Sequence, residues 1–361
     1  MKSKRGLHYC VAALLAAEAA FVFAQQGHTE ALNQPMFSER TGDHLSCADC
    51  HAHARVIRGG KAGLGNRRSD ALVVSALIDT VSEAHFLAAA DPFDRDGDNI
   101  SGRVAWVLSL PDQRAVPGRF GWKASVGTLE DQIANALIMD MGLENELLTF
   151  STEACESDKP GCVVAAGPQA GAQASDAVHR LAPEVRSLAR LPALPDPEGL
   201  QLFTDTGCAA CHHPYVRNTE GEALPLFTDL LLHDMGPGLA EDRTVGSATR
   251  SEWRTASLLG LNQKSGLLHD GRAATVKQAV EAHGGEAQYS TTRFLALSET
   301  KMLALLRFLR GLQKKESRDV DISWIQRPFR FASLVHGPLD HDHVERRHAD
   351  RAVARCSRFC L

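Results

Sequence analysis

Cys47, Cys50 and His51 repeat the spacing of Cys208, Cys211 and His212, and this Cys-x-x-Cys-His order can do chemistry that a bare Cys-x-x-Cys pair cannot. The pair alone is a redox dithiol or half of a zinc site. With a histidine directly after it, each thiol can add to a vinyl group of one heme, and the imidazole falls beneath the iron as an axial ligand. Two such motifs therefore predict two covalently attached hemes c, one iron on His51 and the other on His212. His213 reads as a solvated neighbour.

A heme must be cupped by helices. Glu198 to Thr206 reads as a helix running into Gly207-Cys208, and Leu297 to Leu312 carries Leu303, Leu306, Phe308 and Leu309 at helical spacing. An early and a late helix around one heme is the cytochrome c arrangement. The expected fold is mainly α, with two cytochrome c-like domains. The run from Trp122 to Gln132 is similar to the run from His269 to Ala279, 147 positions later, so the domains read as diverged copies of one unit. An Ala/Gly/Pro-rich stretch from Val163 to Pro197 joins them. The expected boundaries are 1–24 for an export signal, 25–190 for the N-terminal heme domain, 191–313 for the C-terminal cytochrome c domain and 314–361 for a poorly ordered tail rich in Arg and His.

The chain has 361 residues and a net charge of -5, so no overall basic field attracts nucleic acid. Lys2, Lys4 and Arg5 precede a short apolar run from Val11 to Phe23, and Val22-Phe23-Ala24 suits cleavage. An uncleaved anchor is the alternative, but the run falls short of the roughly 20 residues that span a bilayer. The expectation is a soluble periplasmic protein with no membrane span after cleavage. In an oxidising compartment Cys155 and Cys162 could pair, with free thiols as the alternative. The pairing of Cys356 and Cys360 stays open.

Several stretches between Asp91 and Leu312 resemble the bacterial di-heme oxidoreductases related to di-heme cytochrome c peroxidases, a group also labelled thiol-oxidoreductase-like. They are Asp94-Arg95-Asp96-Gly97-Asp98-Asn99-Ile100-Ser101-Gly102-Arg103, Gly118-Arg119-Phe120-Gly121-Trp122-Lys123-Ala124, Asp229-Leu230-Leu231-Leu232-His233-Asp234-Met235-Gly236, Glu252-Trp253-Arg254-Thr255 and Leu268-His269-Asp270-Gly271-Arg272-Ala273. The resemblance implies one heme that passes electrons and one that meets a substrate or peroxide. It makes His283 the sixth ligand of the second heme, with a helix-capping or surface histidine as the alternative, and it sets His269 at a heme edge. His233 takes a supporting role near the heme. Trp122 matches an aromatic between the hemes, and Gln132 matches a distal-pocket glutamine that could hydrogen-bond peroxide. Asp140, Glu144 and His85 are the candidates for the proton-moving group that peroxide cleavage requires.

Asp94, Asp96 and Asp98 could present oxygens to Ca²⁺, which the resembling peroxidases also bind; a hydrogen-bonded Asp/Asn turn is the equal alternative. The leading expectation is a peroxidase-like oxidoreductase in which electrons pass from the second heme to a reactive first heme, with hydrogen peroxide as the oxidant and an unnamed electron-donor or acceptor protein as partner. A non-enzymatic di-heme electron carrier is the alternative, and oxidation of a partner's side chains or thiols is a third reading.

Overall fold

The computed structural model describes 71–141, 143–150, 176–191, 196–264 and 266–312, together with His51 and short strand pieces at 36–37, 44–45, 56–57, 67–68 and 163–165. The export signal, Cys47, Cys50, Cys155, Cys162, Cys356, Cys360 and the tail lie outside the described residues. The chain divides into two units, Met1–Glu316 and Ser317–Leu361. Only the first contains described residues.

Eight α-helices are present among the described residues. They are α1 (Leu72–Asp79), α2 (Glu83–Ala89), α3 (Leu129–Asn135), α4 (Ala177–Ser187), α5 (Pro197–Asp205), α6 (Val276–Glu281), α7 (Gln288–Leu295) and α8 (Glu299–Gly311). Among the described residues every β-sheet is a two-stranded antiparallel ladder, such as Trp106–Ser109 on Arg114–Pro117 and Leu232–Asp234 on Glu252–Arg254. The expectation of a mainly α chain is thus met only in part: helices carry the core, but short ladders and long irregular segments connect them. No helix among the described residues is long and apolar enough to cross a membrane.

One hydrophobic cluster runs from Val74 to Leu312 and includes residues on both sides of the 190/191 boundary. α1 packs on α4, and α5 packs on α8. The α5–α8 seam is aromatic: Phe203 lies 5.5 Å from Phe227 and 5.8 Å from Phe308, centroid to centroid. Such edge-on and tilted pairs add to the burial energy of the rings. Five of the eight helices start on a side-chain cap, among them α5, α8 and α6: Asp196 accepts from the Gly199 amide, Ser298 from the Lys301 amide and Thr275 from the Gln278 amide. Leu303, counted in the apolar stripe of α8, is instead 52% exposed, and Leu305 takes its place in the core at 1%.

Gly199 has no room for a side chain, because an added Cβ would lie 2.3 Å from Phe308 Cδ2 and 2.7 Å from Phe308 Cβ. G199A should therefore push α5 off α8 and cost about 1–3 kcal/mol of stability. The check is the urea midpoint, expected to fall at constant slope; an unchanged midpoint would show that the seam yields.

The similarity read between Trp122 and His269 is repeated in the backbone at the same offset of 147. Phe120 bridges to Val126, and Leu267 bridges to Ala273. Positive φ recurs at Gly121 and Leu268, 72° and 68°, and at Ala124 and Gly271, 49° and 78°. The Ala124 amide donates to the Gly121 carbonyl and the Gly271 amide to the Leu268 carbonyl, both at 3.3 Å. Thr128 then caps α3 as Thr275 caps α6. Gly118 belongs to the first turn for a steric reason: a Cβ there would sit 1.9 Å from the Ala124 carbonyl oxygen.

Candidate functional site

α5 ends at Asp205 with Thr206 as its cap, Gly207 turns the chain with a left-handed φ of 91°, and a 3₁₀ turn over Cys208–Ala210 delivers Cys211 and His212 to the wall of a cavity. Cys208 and Cys211 are both free thiols. Burial pushes the Cys208 thiol up to about 12. It also raises Cys211, against the pull of His233 beside it.

His212 Nδ1 donates to the Phe227 carbonyl at 3.0 Å, and His283 Nδ1 donates to the Ala279 carbonyl at 2.6 Å. A carbonyl can only accept, so each ring is fixed with its proton on Nδ1 and its lone pair on Nε2, the tautomer of a metal ligand. Burial keeps both neutral: His212 is held down to about 4 by desolvation and by its histidine neighbour, and His283 is lowered by desolvation. The ring centroids stand 6.5 Å apart. Two imidazole nitrogens about 2.1 Å from one shared ion put their centroids about 6 Å apart, so the pair is spaced for an ion between them.

The cavity encloses about 190 Å³ and is lined by Trp122, Phe203, Leu258, Leu267, His269 and Leu309 besides the cysteines and histidines. That space is more than ten times what one buried water needs, and it has largely apolar walls. Two thiols on one rim, two facing imidazole nitrogens and apolar walls are a donor set that fits a covalently held heme. His212 and His283 would be its axial ligands and Cys208 and Cys211 its points of attachment.

The turn that carries Trp122 is pinned to the Glu252–Arg254 strand: the Arg254 amide donates to the Trp122 carbonyl at 2.9 Å, and Arg254 Nε donates to the Gly121 carbonyl at 2.8 Å. Trp122 meets His269 edge-on at 6.4 Å, and His269 in turn stacks flat on Trp253 at 3.9 Å. The buried Lys123 ammonium sits 3.5 Å over the other ring system of this stack, that of Trp253, while donating to the carbonyls of Thr249, Arg250 and Glu252. His269, Trp253 and Trp122 all line the cavity.

His233 forms the charged edge of the cavity. Its Nε2 and Asp229 Oδ2 are 2.8 Å apart, its Nδ1 and Glu286 Oε2 are 2.8 Å apart, and its Nδ1 is 3.8 Å from Cys211 Sγ. Burial alone would neutralise the ring, but Asp229 and Glu286 overcome it and hold His233 well above the usual histidine range. Glu286 also accepts from the Ser101 amide and hydroxyl, which ties the acidic loop to the cavity. Sequence singled out His233 but not its carboxylate partners.

The carboxylate oxygens of Asp94, Asp96 and Asp98 lie within 4.8 Å of one another. Asp94 Oδ1 accepts from the Asn99 amide and Asp98 Oδ1 from the Ile100 amide, so the turn forms through its own backbone, and a cation would use the remaining oxygens. Gln132 lies on α3 and is not among the cavity residues; its relation to the first motif falls outside the described residues, as do the two cysteines of that motif. Glu144 is engaged by the Thr149 hydroxyl. His85 is held down to about 4 by burial and by His213, and its Nε2 has no hydrogen-bond partner among the described residues.

Residues 14–312 match the profile of the family described as "Di-haem oxidoreductase, putative peroxidase". No curated protein matches the chain. Among solved structures, hydrazine synthase from Kuenenia stuttgartiensis, pressurised with xenon, aligns at 15% identity and a TM-score of 0.44, over 79% of this chain and 86% of that one. A variant of the diheme peroxidase BthA from Burkholderia thailandensis aligns at 15% identity and a TM-score of 0.37, over 81% of this chain and 89% of that one.

Proposed function

We infer the function from one premise: the chain belongs to the di-haem oxidoreductase family. Our reading is that it is an exported di-heme c-type oxidoreductase that reduces hydrogen peroxide. Electrons enter from a partner protein at the Cys208–Cys211–His212 site and pass by way of Trp122 toward the Cys47–Cys50–His51 site. The observation that carries the reading is the facing pair His212 and His283, both half-buried, neutral and turned as ligands across the cavity.

A heme bound at each site supplies one-electron chemistry. The chain's own residues do the rest. His212 and His283 would both be engaged in holding the group at the second site and would leave no place there for peroxide, which suits the site to electron transfer. Two imidazole ligands would also lack the thioether that raises a heme's potential, so an iron held here would sit lower than one held by His and Met. Trp122 places an indole at the cavity wall, where it can relay electrons. Gln132 offers an amide to hydrogen-bond peroxide at the first site. Asp94, Asp96 and Asp98 would hold Ca²⁺ next to the segment that Glu286 ties to His233. The basic start and apolar run ahead of Gln25 direct the chain to the periplasm.

The test mixes the fully reduced, heme-loaded protein with hydrogen peroxide in a stopped-flow spectrometer. One peroxide should oxidise both hemes and yield water, and W122F should slow oxidation of the second heme without changing its spectrum. If peroxide leaves both hemes reduced while a small electron carrier exchanges with them freely, the protein is a carrier and not a peroxidase.

A further inference from the structure

Taking His212 as iron ligand and Trp122 as relay, the reading on which this rests, we propose that Thr228 is a positioning residue that joins the two through one hydrogen-bonded bridge. Phe227, whose carbonyl accepts from His212 Nδ1 at 3.0 Å, has a φ of 52°, and Leu230 has a φ of 63°. Both side chains are bulky, and each residue is 1% exposed. Left-handed backbone at such residues persists only where the surroundings over-determine it, and it gathers at functional sites. Thr228 does the determining here. Its amide donates to the His213 carbonyl at 3.0 Å, its hydroxyl donates to the Thr255 carbonyl at 2.6 Å, and the same oxygen accepts from the Leu230 amide at 2.9 Å. A hydroxyl has one proton to give and lone pairs to accept with, and Thr228 uses both. The residue is fully buried, so bulk water does not compete for either bond.

The Thr255 carbonyl is shared. It also accepts from Arg254 Nη1 at 3.2 Å, and Arg254 reaches the relay turn twice: its Nε donates to the Gly121 carbonyl at 2.8 Å and its amide to the Trp122 carbonyl at 2.9 Å. The Thr255 amide closes the frame on the Leu231 carbonyl at 2.9 Å. The bridge therefore runs from His212 through Phe227, Thr228, Thr255 and Arg254 to Trp122. A carbonyl that accepts from the far nitrogen of a ligand ring raises the ring's donor strength, which favours the oxidised metal. The Thr228 hydroxyl thus acts on two properties at once: how readily the second site is reduced, and how well Trp122 is placed to take its electron.

The test compares T228V, which keeps the shape and deletes the hydroxyl, with T228S, which keeps the hydroxyl, each purified with both hemes attached. T228V should make the low-spin heme easier to reduce, raising its equilibrium constant with a redox mediator at least about threefold, and should slow its oxidation by peroxide at least about tenfold. T228S should return both to wild-type values even where its thermal stability is lower. In a W122F background T228V should slow that oxidation by less than about threefold, because the relay it positions is already gone. A packing role alone would not make potential and rate follow the hydroxyl. T228V with a wild-type potential or a wild-type rate would overturn the proposal, as would T228S that restores neither. Should T228V not fold, T228A removes the same hydroxyl from a smaller side chain, and the same outcomes decide. If W122F alone oxidises its second heme at the wild-type rate, the relay reading fails before Thr228 is reached, so the two failures are distinguishable.

Discussion

H283A should convert the second heme from six-coordinate low-spin to five-coordinate high-spin, seen as loss of the low-spin EPR signal. The ring is held for ligation by the Ala279 carbonyl, and its backbone is held by the Thr291 hydroxyl, which donates to the His283 carbonyl at 2.9 Å. Even outer partners of a metal ligand are worth 10–100-fold in activity, so losing the ligand should slow electron delivery to peroxide by at least about tenfold. H283M should restore a low-spin iron at a higher potential, because a thioether replaces an imidazole. A low-spin signal that survives H283A would assign the sixth ligand elsewhere.

H233Q should cost about 3–5 kcal/mol, since it leaves the buried Asp229 carboxylate facing a neutral amide. Asp229 and His233 are 1% and 3% exposed, so solvent does little to screen the loss. The pH dependence identifies the cause. Burial would raise Asp229 and Glu286, but His233 outweighs it and holds both below the usual carboxylate range. The stability they contribute is present above about pH 4 and is lost as pH falls through their lowered values. His233 is raised, so its contribution is complete below about pH 6.5 and is lost as pH rises through its higher folded value. Urea melts should show the widest gap between wild type and H233Q between about pH 4.5 and 6.5, narrowing on either side. A gap independent of pH would mean that the ring acts through packing alone.

Short-range features were legible in the sequence. The Cys-x-x-Cys-His spacing marked Cys208, Cys211 and His212, which the structure brings to one cavity wall, and α5 and α8 appear within a residue or two of where their apolar spacing puts them. The Trp122/His269 similarity proved to be a repeated turn and helix cap, because both features depend on near-neighbour residues. What stayed hidden depends on distant partners. Glu286 reaches His233 from 53 positions away, and Lys123 meets Trp253 across a turn that no periodicity records. Leu303 was misjudged because a helical stripe shows which residues share a face, while the packing of α5 decides which of them are covered.

The central claim is that one iron is closed by His212 and His283 while the other is open to peroxide. Low-temperature EPR of the oxidised, heme-loaded protein tests it most directly, with spectra recorded before and after adding peroxide to the half-reduced form. The account predicts one low-spin and one high-spin signal, with the high-spin signal consumed by peroxide and the low-spin one oxidised in turn. Two low-spin signals that ignore peroxide would contradict it and leave a di-heme electron carrier.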